Sequence, residues 1–277
     1  MINYLKFLVL IAMGLFMVSC QQEEEVQLEE QASIQEYPEV SKKLEAMHFN
    51  VNGLEKVDFV LPGGEVQKLF KVEGDILFTK AQIEGMKTEG GITTKQYRTR
   101  NTVRNGSIDI LGYTGGGGYG LSKKERTALQ WAVNNYNRLN LGIRFRLSYG
   151  TNHKSSSIEM VVYHNPNETD AGGVAGFPSR GKPHKYIQIY GLNASNTNVI
   201  EHVITHEMGH SVGLRHTDWF SRQSCGQSGE SANPDGAIHI PGTPTGYDST
   251  SIMLACFGSD EDGEFNRNDI TALRYLY

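Results

Sequence analysis

The sequence predicts an α+β fold organised around one sizeable core. Runs of alternating apolar and polar residues, the period of half-buried strands, recur at 107–111, 143–149, 158–163 and 186–190. One long helical signal follows the first of these runs, the other three runs come next, and two helical signals stand after the last. A length of 277 residues with 38% hydrophobic content is enough for one core, or for a core with a small appended module.

The N-terminus comes first. Residues 1–6 carry one Lys and lead into an apolar stretch at 7–18, too short for a comfortable bilayer span, so residues 1–19 are expected to be a signal peptide. Met17-Val18-Ser19-Cys20 resembles the lipobox of bacterial lipoproteins, with Cys20 as the lipidated first residue of the mature chain. Residues 20–48 are expected to be an acidic tether, because Glu23, Glu24, Glu25, Glu29, Glu30, Glu36, Glu39 and Glu45 sit among few apolar residues. An exported, membrane-anchored lipoprotein follows, at the cell surface or in the periplasm, or secreted after processing. In that oxidising compartment the two remaining cysteines, Cys225 and Cys256, are expected to pair; two buried free thiols are the alternative.

Residues 49–105 predict a small propeptide-like module and a linker. Val57-Asp58-Phe59-Val60-Leu61 is strand-like before the Pro62-Gly63-Gly64 break, and polar sequence with Arg98, Arg100 and Arg104 precedes the next apolar run. The domain at 106–277 opens with the strand at 107–111. Ser122 and Glu125 then form a capping-box start for an amphipathic helix to about Leu139. Two strands, a Gly-rich loop at 171–178 and the strand at 186–190 lead to a helix from Asn196 or Asn198 to Val212, with Val199, Ile200, Val203 and Ile204 facing inward. An irregular stretch at 217–250 ends in a final helix near Asn266, with Asp269 in its first turn and Leu273 and Leu276 pointing inward.

The chemistry concentrates in His206-Glu207-Met208-Gly209-His210-Ser211-Val212-Gly213-Leu214-Arg215-His216, a complete H-E-x-x-H-x-x-G-x-x-H site. His206 and His210 lie one turn apart on one helix face and can share a metal ion. Gly213 can take positive φ, end the helix and turn the chain so that His216 supplies a third ligand. Three neutral imidazoles leave zinc a fourth position for water, the mark of a catalytic site. Glu207 is rotated about 100° from His206, placed to reach that water without coordinating the metal, and is the candidate general base.

These residues resemble the metzincin clan of zinc metalloendopeptidases, and most of all the dual-action HEIGH-type metallopeptidases, through His206 to His210, Thr217-Asp218-Trp219, Ile240-Pro241-Gly242-Thr243-Pro244 and Asp269-Ile270-Thr271-Ala272-Leu273. The resemblance covers 107–277. It implies a metzincin-like catalytic domain with a twisted mixed sheet, an active-site helix, a Met-turn and a C-terminal helix. It also implies one catalytic Zn2+, a protein or peptide substrate, and a methionine floor beneath the metal for which Met253, in Ser251-Ile252-Met253, is the candidate. Some clan members carry a tyrosine ligand two residues after that methionine; here the position is Ala255, so no fifth ligand is assigned. Asp218 either anchors the loop after His216 or is a solvated turn residue. In the clan the strand before the active-site helix forms one edge of the cleft, which would give 186–190 the role of binding extended substrate by β-addition. Val72-Glu73-Gly74-Asp75-Ile76 resembles the F-x-G-D segment of astacin propeptides, which implies a zymogen in which Asp75 occupies the metal until an activating protease cuts the Arg98 to Arg104 linker.

Other signals carry less. Gly115-Gly116-Gly117-Gly118-Tyr119-Gly120 matches G-x-G-x-x-G, but the next strand offers Arg144 and Arg146 where a dinucleotide site needs an acid. Asp260, Asp262, Gly263, Asn266 and Asp269 resemble a calcium loop whose first ligand would fall on Gly258; a Ca2+ site and a capped helix both fit these letters. Net charge is −5 with Lys and Arg scattered, which excludes a nucleic-acid partner. The expectation is therefore a zinc endopeptidase, with a non-enzymatic surface adhesin holding a structural zinc as the rival that Glu207 discriminates.

Overall fold

Helix starts follow the capping letters. In the computed structural model, which describes residues 36–86, 97–227 and 238–277, Ser122 and Glu125 close a capping box ahead of the helix Lys123–Asn137. Asn196 accepts from the Val199 N–H ahead of Thr197–Val212, and Asn266 with Asp269 caps Arg267–Leu276. Two shorter helices precede them, Pro38–Glu45 and Lys80–Gly85. In chain order these five are α1 (Pro38–Glu45), α2 (Lys80–Gly85), α3 (Lys123–Asn137), α4 (Thr197–Val212) and α5 (Arg267–Leu276).

The strands are β1 (Glu55–Val60), β2 (Val66–Val72), β3 (Ile76–Phe78), β4 (Tyr97–Arg98), β5 (Gly106–Tyr113), β6 (Ile143–Gly150), β7 (Met160–His164), β8 (Gly172–Gly176), β9 (Tyr186–Tyr190) and β10 (Ile238–His239). Eight of them form one mixed sheet in the order β1-β2-β3-β8-β9-β7-β5-β6. Strands β9, β7, β5 and β6 run parallel to one another, whereas β8 is antiparallel to β9. Alternation divides the side chains: Ile108, Ile110, Val162, Ile187 and Ile189 join the helices in the main core, and Val161, Tyr163 and Val174 face the opposite side with Phe59, Leu69 and Leu77. The α+β reading of the sequence thus holds, with a mixed sheet and the long helices as expected.

Five expectations change. The strand at 186–190 is not an edge, because β9 lies between β7 and β8. Within residues 106–277 the outer strand on that side is β8, a Gly-rich segment that the sequence suggests only as a loop. Residues 49–86 do not stand apart, because β3 pairs with β8 in parallel, Ile76 opposite Ala175 and Leu77 opposite Gly176, so β1–β3 extend the same sheet. The acidic tether ends sooner than 48: α1 turns Val40 and Leu44, one turn apart, into a core with Phe49, Phe70, Val72, Ile76, Phe78 and Phe177, while Glu39 and Glu45 stay exposed. The linker also docks in part, since β4 pairs with β10, the Thr99 N–H donates to Gly213 O (2.9 Å) and the Arg104 N–H donates to Gly181 O (2.9 Å). Cys225 and Cys256 form the expected disulfide, with Cα atoms 5.2 Å apart. The signal peptide and the lipidation residue Cys20 lie outside the described residues.

Candidate metal centre

Helix α4 is buried along its whole length from Val199 to Val212, so that Glu201, His202, Thr205, His206, Glu207, His210 and Ser211 are buried together with its apolar residues. The helix ends where the motif requires it. Gly213 adopts φ 113° and its N–H donates to the carbonyls of Gly209 and His210. A side chain there would also approach the Asn101 carbonyl to 3.0 Å, so both the conformation and the space select glycine. Beyond this turn the chain doubles back, and His216 meets the two helical histidines.

All three imidazoles have one nitrogen fixed from behind. His206 Nδ1 donates to Ile252 O at 2.8 Å, His210 Nδ1 donates to Leu214 O at 2.9 Å, and His216 Nδ1 donates to Glu73 Oε2 at 3.0 Å. Carbonyls and carboxylates only accept, so the proton of each neutral ring sits on Nδ1 and the Nε2 lone pairs are left to converge. His210 Nε2 and His216 Nε2 are 3.2 Å apart. Asp75 Oδ2 completes the group, 2.9 Å from His216 Nε2, 3.3 Å from His206 Nε2 and 3.9 Å from His210 Nε2. These four ligand atoms lie within 4.8 Å of one another.

The set fits zinc. Tetrahedral ligation at about 2.0–2.1 Å sets neighbouring donors roughly 3.4 Å apart, close to the spacings observed. Neutral Nε2 lone pairs directed at a common point repel unless a cation lies between them, and buried Asp75 Oδ1 and Glu207 Oε2 have no hydrogen-bond partner among the described residues.

Electrostatics separate the two acids. Burial pushes Asp75 up, but when the rings also carry protons on Nε2 the charge of His216 and hydrogen bonds from the imidazoles outweigh it and hold the carboxyl well below its usual range. Glu207 is raised well above its usual range, first by burial and then by the Asp75 charge. Its side chain lies against β8, where a Cβ on Gly173 would come within 2.8 Å of Glu207 Cγ. Tyr190 bonds the same glycine, donating to Gly173 O at 3.1 Å.

Met253 is buried beneath the helix, and a Cβ on Gly209 would stand 2.5 Å from its Sδ. Asp218 proves to be an anchor: it is buried and accepts from Ser224 N (2.9 Å), Ser224 Oγ (2.6 Å) and Ala255 N (2.9 Å). The calcium-loop letters are used otherwise. Asp262 accepts from Glu264 N (3.0 Å), Asn266 caps α5, and Asp269 accepts from Ser251 Oγ (2.7 Å) and Ile252 N (3.0 Å). Among the described residues, Asp75, His206, His210 and His216 are the one group of three or more His, Cys, Asp or Glu side chains spaced to hold a metal. Sequence reasoning passed over Glu73 and Arg215, whose side chains meet at 3.2 Å, because neither belongs to a spacing rule.

Comparison with solved structures finds two of myroilysin. One is 13% identical with a TM-score of 0.38, covering 62% of this chain and 80% of its own. The other is 14% identical with a TM-score of 0.41, covering 66% of this chain and 89% of its own. Comparison with curated proteins gives no match. The sequence pattern of a metallopeptidase family matches residues 70–277, from the strand before Asp75 to the last residue of α5 and its cap, and the chain belongs to that family, the dual-action HEIGH metallo-peptidases.

Proposed function

We propose that this metallopeptidase is a zinc-dependent endopeptidase made in a latent form, with Asp75 as the latch. The observation that carries the reading is the convergence of three Nε2 atoms and one Asp75 oxygen on a single point. Zinc bound there supplies Lewis-acid activation of water and of the scissile carbonyl. His206, His210 and His216 hold the ion, each oriented by its Nδ1 bond. Glu207, buried beside β8, takes the proton from the attacking water and returns it to the departing amine. A structural zinc site has no use for such an acid, which favours the enzyme over a surface adhesin. Met253 forms the floor under the histidines.

Asp75 occupies the position that water needs, and β3 occupies the edge of β8 that an extended peptide would pair with. Activation then requires a cut in the chain before β5 by another protease. The disulfide supports an oxidising compartment, consistent with export and with a lipid anchor at Cys20. Cutting the protein between Met86 and Tyr97 tests the proposal. The cut chain, loaded with zinc, should degrade an unstructured protein that the intact chain leaves whole; a zinc-loaded cut chain with no such activity would refute it.

A further inference from the structure

His206 and His210 find their Nδ1 partners in backbone carbonyls of Ile252 and Leu214, within the domain that carries the motif. His216 differs. Its Nδ1 partner is the carboxylate of Glu73, on the turn between β2 and β3. Glu73 is 2% exposed, and both of its oxygens are engaged: Oε2 with His216 at 3.0 Å, and Oε1 with Asn50 N at 3.0 Å and Arg215 Nη2 at 3.2 Å. The Glu73 carbonyl accepts from Arg222 Nη1 at 3.1 Å.

The grip is mutual. Arg215, the residue just before the third histidine, donates to His48 O at 2.9 Å and lays its guanidinium 3.9 Å from the Phe49 ring centroid. Glu73 is also held at φ 56°, a left-handed conformation that costs any residue except glycine. Gly74 follows immediately with φ 91°, so a glycine at 73 would make the same turn with less strain. A carboxylate kept at such a position points to use of its side chain.

We infer that Glu73 is a positioning residue for the third metal ligand, supplied by the N-terminal segment, so that metal and segment hold each other in place. This rests on the reading of the three histidines as a zinc site. The carboxylate fixes the His216 ring and strengthens its Nε2 as a donor, as outer-shell acids do for metal-bound histidines. The segment therefore does two things at the centre: Asp75 meets the ligand atoms from the front, and Glu73 braces one ligand from behind. By reciprocity, bound zinc tightens the docking of residues 49–86, and loss of that segment loosens zinc.

The test is zinc affinity of the full chain, read by competition with a chromophoric chelator, for wild type, Glu73→Gln and Glu73→Gly. Both variants should hold zinc about 10-fold to 100-fold more weakly than wild type. Glutamine keeps the shape and leaves the turn intact. Glycine relaxes the backbone, so if Glu73 were only a turn residue this variant would melt higher and bind zinc unchanged. Should Glu73→Gln fail to fold, Glu73→Gly decides alone. One zinc bound equally tightly by all three chains overturns the role of Glu73 and leaves the metal site standing. No zinc bound by wild type overturns both.

Discussion

Asp75 Oδ2 stands 2.9 Å from His216 Nε2, a contact across 141 residues of sequence. It places a carboxylate of the N-terminal segment at the point where the three histidines converge, and in the proposed latent form it would tie latency to the same atoms that would hold the metal. If Asp75 fills the fourth position, Asp75→Ala should free it without any cut. The uncut variant is expected to hydrolyse a short peptide at least 10-fold faster than uncut wild type, roughly the penalty of a competing ligand worth 1.4 kcal/mol or more. Equal latency of the two, followed by continuous fluorescence of a quenched peptide, would remove Asp75 from the switch.

Gly209 lets Met253 sit directly under the helix. A Cβ there would meet Met253 Sδ at 2.5 Å and Tyr136 Oη at 3.4 Å, and Met253 is itself packed in the main core. Gly209→Ala should therefore cost about 1–3 kcal/mol of stability by overpacking, despite the better helix propensity of alanine. Denaturant unfolding checks this, and a gain in stability would show that the methionine moves aside freely.

Burial pushes the Asp269 carboxyl up to about 6, against hydrogen bonds from Ile252 N–H, Ser251 and Asn266 N–H that pull it down. Its folded pKa is thus above its unfolded value, so the folded state binds more protons between the two. Stability contributed at this site is present below about pH 4 and declines as pH rises to about 6, by on the order of 2–3 kcal/mol. Melting curves of wild type and Asp269→Asn across pH 3.5–7 should differ by this slope; parallel curves would contradict it.

The Cys225–Cys256 bridge closes a 31-residue separation around the loop anchored by Asp218. Replacing both cysteines with serine should lower stability by about 3–4 kcal/mol in the chain-entropy model. Ser224 Oγ, which donates to Asp218 and accepts from Cys256 N at 3.0 Å, stays in place in that variant. Chemical denaturation under non-reducing conditions measures the difference, and a change below about 1 kcal/mol would show that the Asp218 contacts already hold the loop closed.

What the sequence disclosed follows from how local each feature is. The spacing of His206 and His210, the turn at Gly213, and the caps at Ser122, Asn196 and Asn266 are set within a few residues, and each is found where the letters place it. The order of strands is not local. Strand β8 reads as a Gly-rich loop because Gly172, Gly173 and Gly176 give no alternation, and the space at two of them is taken by residues far along the chain: Glu207 against Gly173 and the Leu77 carbonyl against Gly176. Helix α1 is hidden among acids because only two of its buried residues, Val40 and Leu44, are apolar, too few letters to mark a buried face. Glu73 was hidden for the opposite reason. Its letters lay in a segment already singled out for Asp75, and nothing local shows that its carboxylate crosses to Arg215 and His216.

The claim at the centre is that Glu207 performs chemistry beside a zinc ion held by His206, His210 and His216. The most direct measurement compares zinc content and proteolytic rate for the cut wild type and the cut Glu207→Gln variant. Both should carry one zinc, and the variant should lose about 100-fold to 10,000-fold in rate, with wild-type activity abolished by a chelator and restored by zinc. A variant that cleaves as fast as wild type, or activity that survives removal of the metal, would contradict the account.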